Sequence, residues 1–259
     1  MAFKIPYRKS VLPVRGSFRG RGVFHVEQGT PEEGSLTAVP DIPVPSGDFL
    51  AGLITGAGLS VPAGAVEKLV SHAREVIRWN RSIRLTAITS PEEVAVKHIL
   101  DSLLLLMFSP FPGRVLDFGS GAGYPGIPLA IALPGSRIVL LESSGKKCAF
   151  LSHARRVLSL PNAEVVQGRL SDRAPQVAIG RFEHIVTRAT LPQDEAVPLL
   201  LPYLSPGGRI LLMRGPGKGE GERIGEKGLP RQGHTPARSV RFDLPLRMGS
   251  REIREVFPP

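Results

Sequence analysis

Apolar positions change period several times along the chain. From Phe49 to about Phe108 they recur at helical spacing, and Val66, Leu69, Val70, Ala73, Val76 and Ile77 form one face of a helix leading into Trp79-Asn80. Ser90-Pro91-Glu92-Glu93 reads as a helix start, with Ser90 as N-cap and Pro91 at the first helical position. The segment Val94 to Met107 is apolar over most of its circumference, which predicts a buried helix. His98 and Asp101 share one face of it and read as a structural hydrogen bond in preference to a catalytic couple. Beyond it, Val115-Leu116 is a strand ending in Asp117, and Arg137–Leu141 a second ending at Glu142. Lys146–Leu158 reads as a helix, Ala163–Gln167 and His184–Thr187 as strands, Leu191–Leu204 as a helix and Arg209–Met213 as a fifth strand. Arg214–Pro236 is rich in Gly, Lys, Arg and Glu and reads as a mobile loop before two closing strands, Val240–Leu244 and Glu252–Phe257. The alternation predicts an α/β fold with a mostly parallel, doubly wound sheet.

Charge and composition divide this pattern into three. In residues 1–45, Lys4, Arg8, Lys9, Arg15, Arg19 and Arg21 precede the first acidic residue, Glu27, while Gly and Pro interrupt every possible helix. Such a stretch reads as a disordered basic extension. A helical part (46–108) and a main α/β domain (109–259) follow. The net charge of +10 points to a polyanionic partner. Cys148 is the sole cysteine, so no internal disulfide forms, and a reducing compartment is expected. No apolar stretch approaches the roughly 20 residues that cross a bilayer, and the N-terminus lacks a signal-peptide core. The chain is expected to be cytoplasmic, away from membranes, and a monomer.

The candidate chemistry centres on Arg114–Ala130, RVLDFGSGAGYPGIPLA. A strand, a turn carrying Gly119, Gly121 and Gly123, and a helix with Pro125 in its first turn let backbone approach a ligand closely. Gly121, Gly123 and Gly126 also spell the dinucleotide fingerprint, so NAD remains open. Asp117 at the strand end, where it could accept from an ammonium group, tilts the reading toward S-adenosylmethionine. Glu142 follows about 20 residues later, where an acid grips a ribose diol, a feature both cofactors share. At the end of the fourth strand, Val186-Thr187-Arg188-Ala189-Thr190 holds neither an Asn/Asp-Pro-Pro-aromatic stretch nor a cysteine nucleophile. Arg188 is the polar residue best placed there, either toward a ligand or in a surface ion pair. Cys148 reads as a small buried hydrophobe. No metal-ligand spacing, P-loop or serine-hydrolase motif is present.

Taken together, Trp79-Asn80, Leu85-Thr86, His98-Ile99-Leu100-Asp101-Ser102, Asp117 through Leu129, Leu141-Glu142-Ser143 with Lys146-Lys147, Thr187-Arg188-Ala189 and Gly215 resemble the RsmG (glucose-inhibited division protein B) methyltransferases of bacteria. The resemblance runs in family order over roughly Asp48 to Val256. It implies a Rossmann-like class I methyltransferase with a seven-stranded sheet and a small N-terminal helical part. The implied reaction is methyl transfer from S-adenosylmethionine to N7 of a guanine in 16S rRNA or the small ribosomal subunit. By position, Gly119, Tyr124, Glu142, Ser143 and Ser144 would line the cofactor beside Asp117, Gly121 and Gly123. Leu170 and Ser171 would frame the adenine, and Arg188 would lie toward the substrate as the catalytic candidate or toward the cofactor. The chain departs from the family in having Arg84 for Asn before Leu85-Thr86, Arg214 for Lys before Gly215, and Ser171 where an acid is common. Methylation of another RNA or of a protein, an NAD-dependent oxidoreductase, and a non-catalytic RNA-binding module are the alternatives.

Overall fold

In the computed structural model, which describes residues 42–170, 179–188, 191–215 and 236–258, all the strands join one sheet. They are β1 (Arg114–Phe118), β2 (Arg137–Glu142), β3 (Ala163–Gln167), β4 (Phe182–Arg188), β5 (Leu204–Arg214), β6 (Pro236–Asp243) and β7 (Ser250–Val256), hydrogen-bonded in the order β3-β2-β1-β4-β5-β7-β6. The first five are parallel, and β7 runs antiparallel to both β5 and β6. The strand order reverses direction between β1 and β4, the switch point at which doubly wound sheets open a crevice at the carboxyl ends of their strands.

The helical part consists of α1 (Gly47–Gly56), α2 (Ala65–Asn80) and an irregular helix from Pro91 to Phe108. Ser90 caps the latter as its sequence predicts, its hydroxyl accepting from Glu93 N–H at 3.2 Å. The expected single helix over Val94–Met107 is corrected. After α3 (Pro91–Glu93) the chain winds as a π-helix over Val94–Leu100, passes through α4 (Asp101–Leu103), and tightens to a 3₁₀ turn over Leu104–Phe108. The wide turns leave the Lys97 carbonyl able to accept from outside the helix, and Arg188 donates to it at 3.0 Å.

Among the described residues there are three further α-helices: α5 (Gly126–Ala132), α6 (Gly145–Val157) and α7 (Gln193–Leu200). Pro125 stands just before α5 rather than within it, and Pro128 occupies the first turn. The helix expected to run to Leu204 stops at Leu200, followed by a 3₁₀ turn over Leu201–Tyr203. Pro198 removes one donor, and Pro202 another. Strand β5 therefore begins at Leu204, five residues earlier than its alternation suggests, and reaches its regular register with β4 through the bulge that holds Gly207-Gly208.

One apolar core runs continuously from Leu50, Leu69 and Ile99 of the helical part to Val115, Ile127 and Phe150 of the α/β part. Ile42 and Pro45, assigned by sequence to the basic extension, are buried. Residues 1–41 of that extension, Ser171 and most of the Arg214–Pro236 segment lie outside the described residues. Arg209 fastens the end of the irregular helix to the sheet, donating to the carbonyls of Phe108 and Pro110 and to Glu255. No helix among the described residues is long and apolar enough to cross a membrane.

Candidate active site

Strand β1 ends at the switch point, and the glycine turn that follows is tied down on both sides. Gly119 and Ser120 N–H donate to the Leu141 carbonyl of β2 at 2.9 and 3.1 Å, and Gly123 N–H to Ser120 O at 2.7 Å. Gly119, Gly121 and Gly123 all have positive φ. A Cβ at Gly121 would meet nothing closer than the Gly119 carbonyl at 3.8 Å, so this turn faces open space. Gly126 is small for a different reason. A Cβ there would collide with Leu140 and stand 2.5 Å from Asp117 Oδ2.

Asp117 is fully buried. Its Oδ2 accepts from Gly126 N–H at 3.0 Å, while Oδ1 has no partner among the described residues. Burial pushes the carboxyl up to about 7, against the opposing pull of the nearby Ser120 hydroxyl, which donates to the Asp117 backbone carbonyl at 3.0 Å, and then of the Gly126 N–H and the Arg188 charge. A carboxyl left half-satisfied in this way favours a cationic partner, which binds its ionised form. Glu142, at the end of β2, bends over the turn: Oε2 accepts from Gly121 N–H at 3.0 Å and Oε1 from Ser144 N–H at 2.9 Å. Oε1 also accepts from the Ser143 hydroxyl at 3.5 Å, while Oε2 retains a lone pair for a second donor. Ser143 follows the strand, Ser144 precedes α6 without capping it by its side chain, and Leu170 packs half-buried on the smaller apolar cluster. Cys148 is buried, as read, with its thiol donating to the Glu142 carbonyl at 3.2 Å.

Tyr124 lies deeper than a residue that simply lines a cleft. Its buried ring stacks on His98 with centroids 4.6 Å apart and meets His72 at a tilt at the same distance, with the Arg188 guanidinium 5.5 Å from its centroid. Its hydroxyl and His72 Nδ1 have no partner among the described residues. His72 Nε2–H donates to the Ala122 carbonyl at 3.0 Å, which fixes the loop against α2. Burial lowers both histidines to about 3, so both are neutral, and the Arg188 charge reinforces the shift at His98.

Arg188, at the end of β4, is held by the irregular helix. Nη1 donates to Lys97 O at 3.0 Å and to Asp101 Oδ2 at 3.3 Å, and both Nη atoms lie 3.3 Å from His98 Nδ1. Since arginine only donates, Nδ1 is the acceptor and Nε2–H donates to Thr86 Oγ1 at 2.8 Å. The expected His98–Asp101 hydrogen bond is thus corrected: the two residues bind Arg188, not each other. The surface ion pair considered for Arg188 is also corrected, because Asp101 is completely buried and the arginine side chain only 17% exposed. Asp101 Oδ1 accepts from Arg251 Nε at 2.5 Å, so two guanidinium groups share one carboxylate. Thr86, Lys97 and Arg251 carry no chemical signal in the sequence that would join them to Arg188. No cluster of His, Cys, Asp or Glu among the described residues could hold a metal ion.

This geometry can be set beside known proteins. The sequence model of the family described as GidB, rRNA small subunit methyltransferase G, matches residues 65–227. The ribosomal RNA small subunit methyltransferase G of Alkalilimnicola ehrlichii is 42% identical over 158 residues, 61% of this chain and 70% of the relative. Its namesake from Geotalea uraniireducens is 35% identical over 204 residues, covering 78% and 93%. Among solved structures, a SAM-dependent methyltransferase from Aquifex aeolicus aligns with a TM-score of 0.48 at 15% identity, covering 64% of this chain and 93% of that one. The chain belongs to the rRNA small subunit methyltransferase G family.

Proposed function

We propose that this enzyme transfers the methyl group of S-adenosylmethionine to N7 of a guanine in the 16S rRNA of the small ribosomal subunit. One observation carries the reading: a buried carboxylate with an unpartnered oxygen, Asp117, under a glycine turn that is open at Gly121, beside an arginine fixed at the switch point. The residues fit such a cofactor. Asp117 Oδ1 would accept from its ammonium group, Glu142 from its ribose diol, and Gly119 with Gly121 would let backbone approach the chain between them. Gly123 shapes the turn, while Tyr124 supports it from below. Ser143, Ser144 and Leu170 would enclose the base, and Ser171 is assigned there by the family resemblance alone.

When bound, S-adenosylmethionine supplies a methyl group on a sulfonium centre. Guanine N7 already carries an unprotonated lone pair, so no residue has to remove a proton. The neutral histidines agree with this, since both ring nitrogens of His98 are committed to Thr86 and Arg188. Catalysis by this chain is then mainly positioning and exclusion of water. Among the described residues, Arg188 keeps Nε and one Nη2 proton without a partner, and these would donate to guanine O6. Held by Asp101, its charge stays to one side of N7, where positive charge develops.

The direct test is to map 7-methylguanine in rRNA from cells with and without the gene, by borohydride/aniline cleavage and primer extension. A single cleavage lost with the gene is expected; an unchanged pattern overturns the substrate. Titration with S-adenosylmethionine against NADH separates the enzyme from an oxidoreductase.

A further inference from the structure

The turn between β6 and β7 is built against its own backbone preference. Leu246 (φ 56°, ψ 25°) and Arg247 (φ 56°) are consecutive left-handed residues. Met248 N–H closes the turn on Pro245 O at 3.2 Å, and Leu244 N–H pairs with Gly249 O at 2.8 Å. A tight turn with two positive φ values is the place for Asn-Gly, and both Leu and Arg are strained there. Leu244 is buried and Met248 packs on the core, so the strained pair sits on a rigid base. What the turn presents is apolar and cationic: Leu246 is 52% exposed, among the most exposed large hydrophobic residues described, and Arg247 is exposed beside it.

The place of this tip matters as much as its strain. Arg214 at the end of β5 is in register with Glu252, and Asp243 with Ser250, so the tip projects beyond the carboxyl ends of the parallel strands. That is the edge where the glycine turn and Arg188 lie. Arg251, five residues after Leu246, reaches Asp101, the carboxylate that also holds Arg188.

We propose that Leu246 and Arg247 form an RNA-binding fingertip, with Leu246 packing on an unstacked base near the methylated guanine and Arg247 contacting a backbone phosphate. Apolar wedges and basic side chains are how proteins hold opened nucleic acid. The proposal rests on the rRNA methyltransferase reading above. The net charge of +10 favours RNA over a protein partner.

The test exchanges strain for binding in the full-length enzyme, with Leu246→Asn and Arg247→Gly made singly and together. The double variant is expected to melt about 5 °C higher, because its turn is relaxed. S-adenosylmethionine affinity should not change. KM for protein-free 16S rRNA lacking 7-methylguanine should rise about tenfold for Leu246→Asn, and Arg247→Gly should flatten the salt dependence of RNA binding by about one unit of slope. A stabilised variant with unchanged KM overturns the fingertip, as does a lowered melting temperature. A KM effect seen on small subunits but absent on protein-free rRNA assigns the tip to a ribosomal protein and overturns it too. If the wild-type enzyme methylates no rRNA, the underlying reading fails and the fingertip fails with it; normal wild-type turnover with indifferent variants fails the fingertip alone.

Discussion

The glycine turn and the Arg188 network meet at one switch point, yet they are stabilised in opposite ways. The turn is held by backbone bonds within itself and to the adjacent strand β2, and leaves a polar atom, Asp117 Oδ1, unsatisfied. In the network, Asp101 has each oxygen paired and His98 each nitrogen, through bonds that span 87 to 150 residues of chain where they join different elements. An unsatisfied site awaits a ligand, whereas a satisfied one supports whatever it carries. The turn is therefore the half that binds and the network the half that aims.

The largest expected effect follows from breaking the aim alone. Arg188→Ala should lower kcat by about a thousandfold, since losing a fixed donor aimed at the reacting base costs about 10²–10³ in kcat, while S-adenosylmethionine affinity measured by calorimetry changes little. Some stability goes as well, because Asp101 then depends on Arg251 alone. Arg188→Lys, which keeps charge but not the forked donors, should recover stability more than turnover. Equal losses of affinity and turnover would erase the division between the two halves.

Breaking the binding half comes next. Asp117→Asn should weaken cofactor binding by about a hundredfold, the worth of a charge-assisted bond in a buried site. Its sign with pH is also fixed. The folded carboxyl stands at about 7, above its ordinary 3.8, so the contribution of this group to the stability of the ligand-free protein is complete below 3.8 and lost as pH rises through 7. A cationic ligand prefers the ionised form. Cofactor affinity should thus fall about tenfold from pH 8 to pH 6 in the wild type relative to Asp117→Asn. The ligand's own ammonium titrates identically in both proteins, so the difference between their profiles isolates Asp117. Superimposed profiles would remove Asp117 from the ammonium site.

The same contrast decides what sequence could reveal. The turn was legible because its requirements are local: small residues where φ is positive, an acid at the strand end, a second acid at the next strand end. The β1-to-β5 alternation was legible for the same reason, with strand cores placed correctly and their ends extended by pairing partners. The Arg188 network was not legible, because Lys97 contributes a carbonyl and Arg251 comes from the last strand. Nor was the winding of Val94–Phe108, since a helix that is apolar on every side fits a wide, regular or tight turn equally well. His98 and Asp101 were visible as a pair, and their common partner could only come from the fold.

Within the turn, two glycines sharpen the comparison further. Gly126→Ala should act on folding, lowering the melting temperature by about 5 °C or more, because its Cβ meets Leu140 and Asp117 in a packed interior. Gly121→Ala meets no such wall. Its positive φ costs roughly 1–2 kcal/mol, so a loss of a few degrees is expected, with cofactor affinity falling about tenfold as the methyl group enters the open side. Thermal melts and calorimetry on the two variants separate these effects. If Gly126→Ala spared folding, or Gly121→Ala spared binding, the open side of the turn would have to be elsewhere.

At Glu142 the two kinds of support overlap, and a tenfold loss of affinity is expected there without the loss of stability predicted for the glycines. Its carboxylate pins Gly121 N–H and Ser144 N–H, and Oε2 still has a lone pair for a hydroxyl of a ribose diol. Glu142→Gln keeps only one acceptor oxygen, so it can hold one of those N–H groups and leaves the other facing an amide donor. Affinity for S-adenosylmethionine should drop about tenfold, equivalent to one neutral hydrogen bond near 1.4 kcal/mol. The decisive comparison is with S-adenosylhomocysteine and with adenosine. Both retain the diol, so a ribose role predicts the same tenfold loss for all three ligands. Loss confined to the two ligands that carry the amino-acid chain would mean that Glu142 acts only by shaping the turn over Asp117, and that the binding half extends no further than β1.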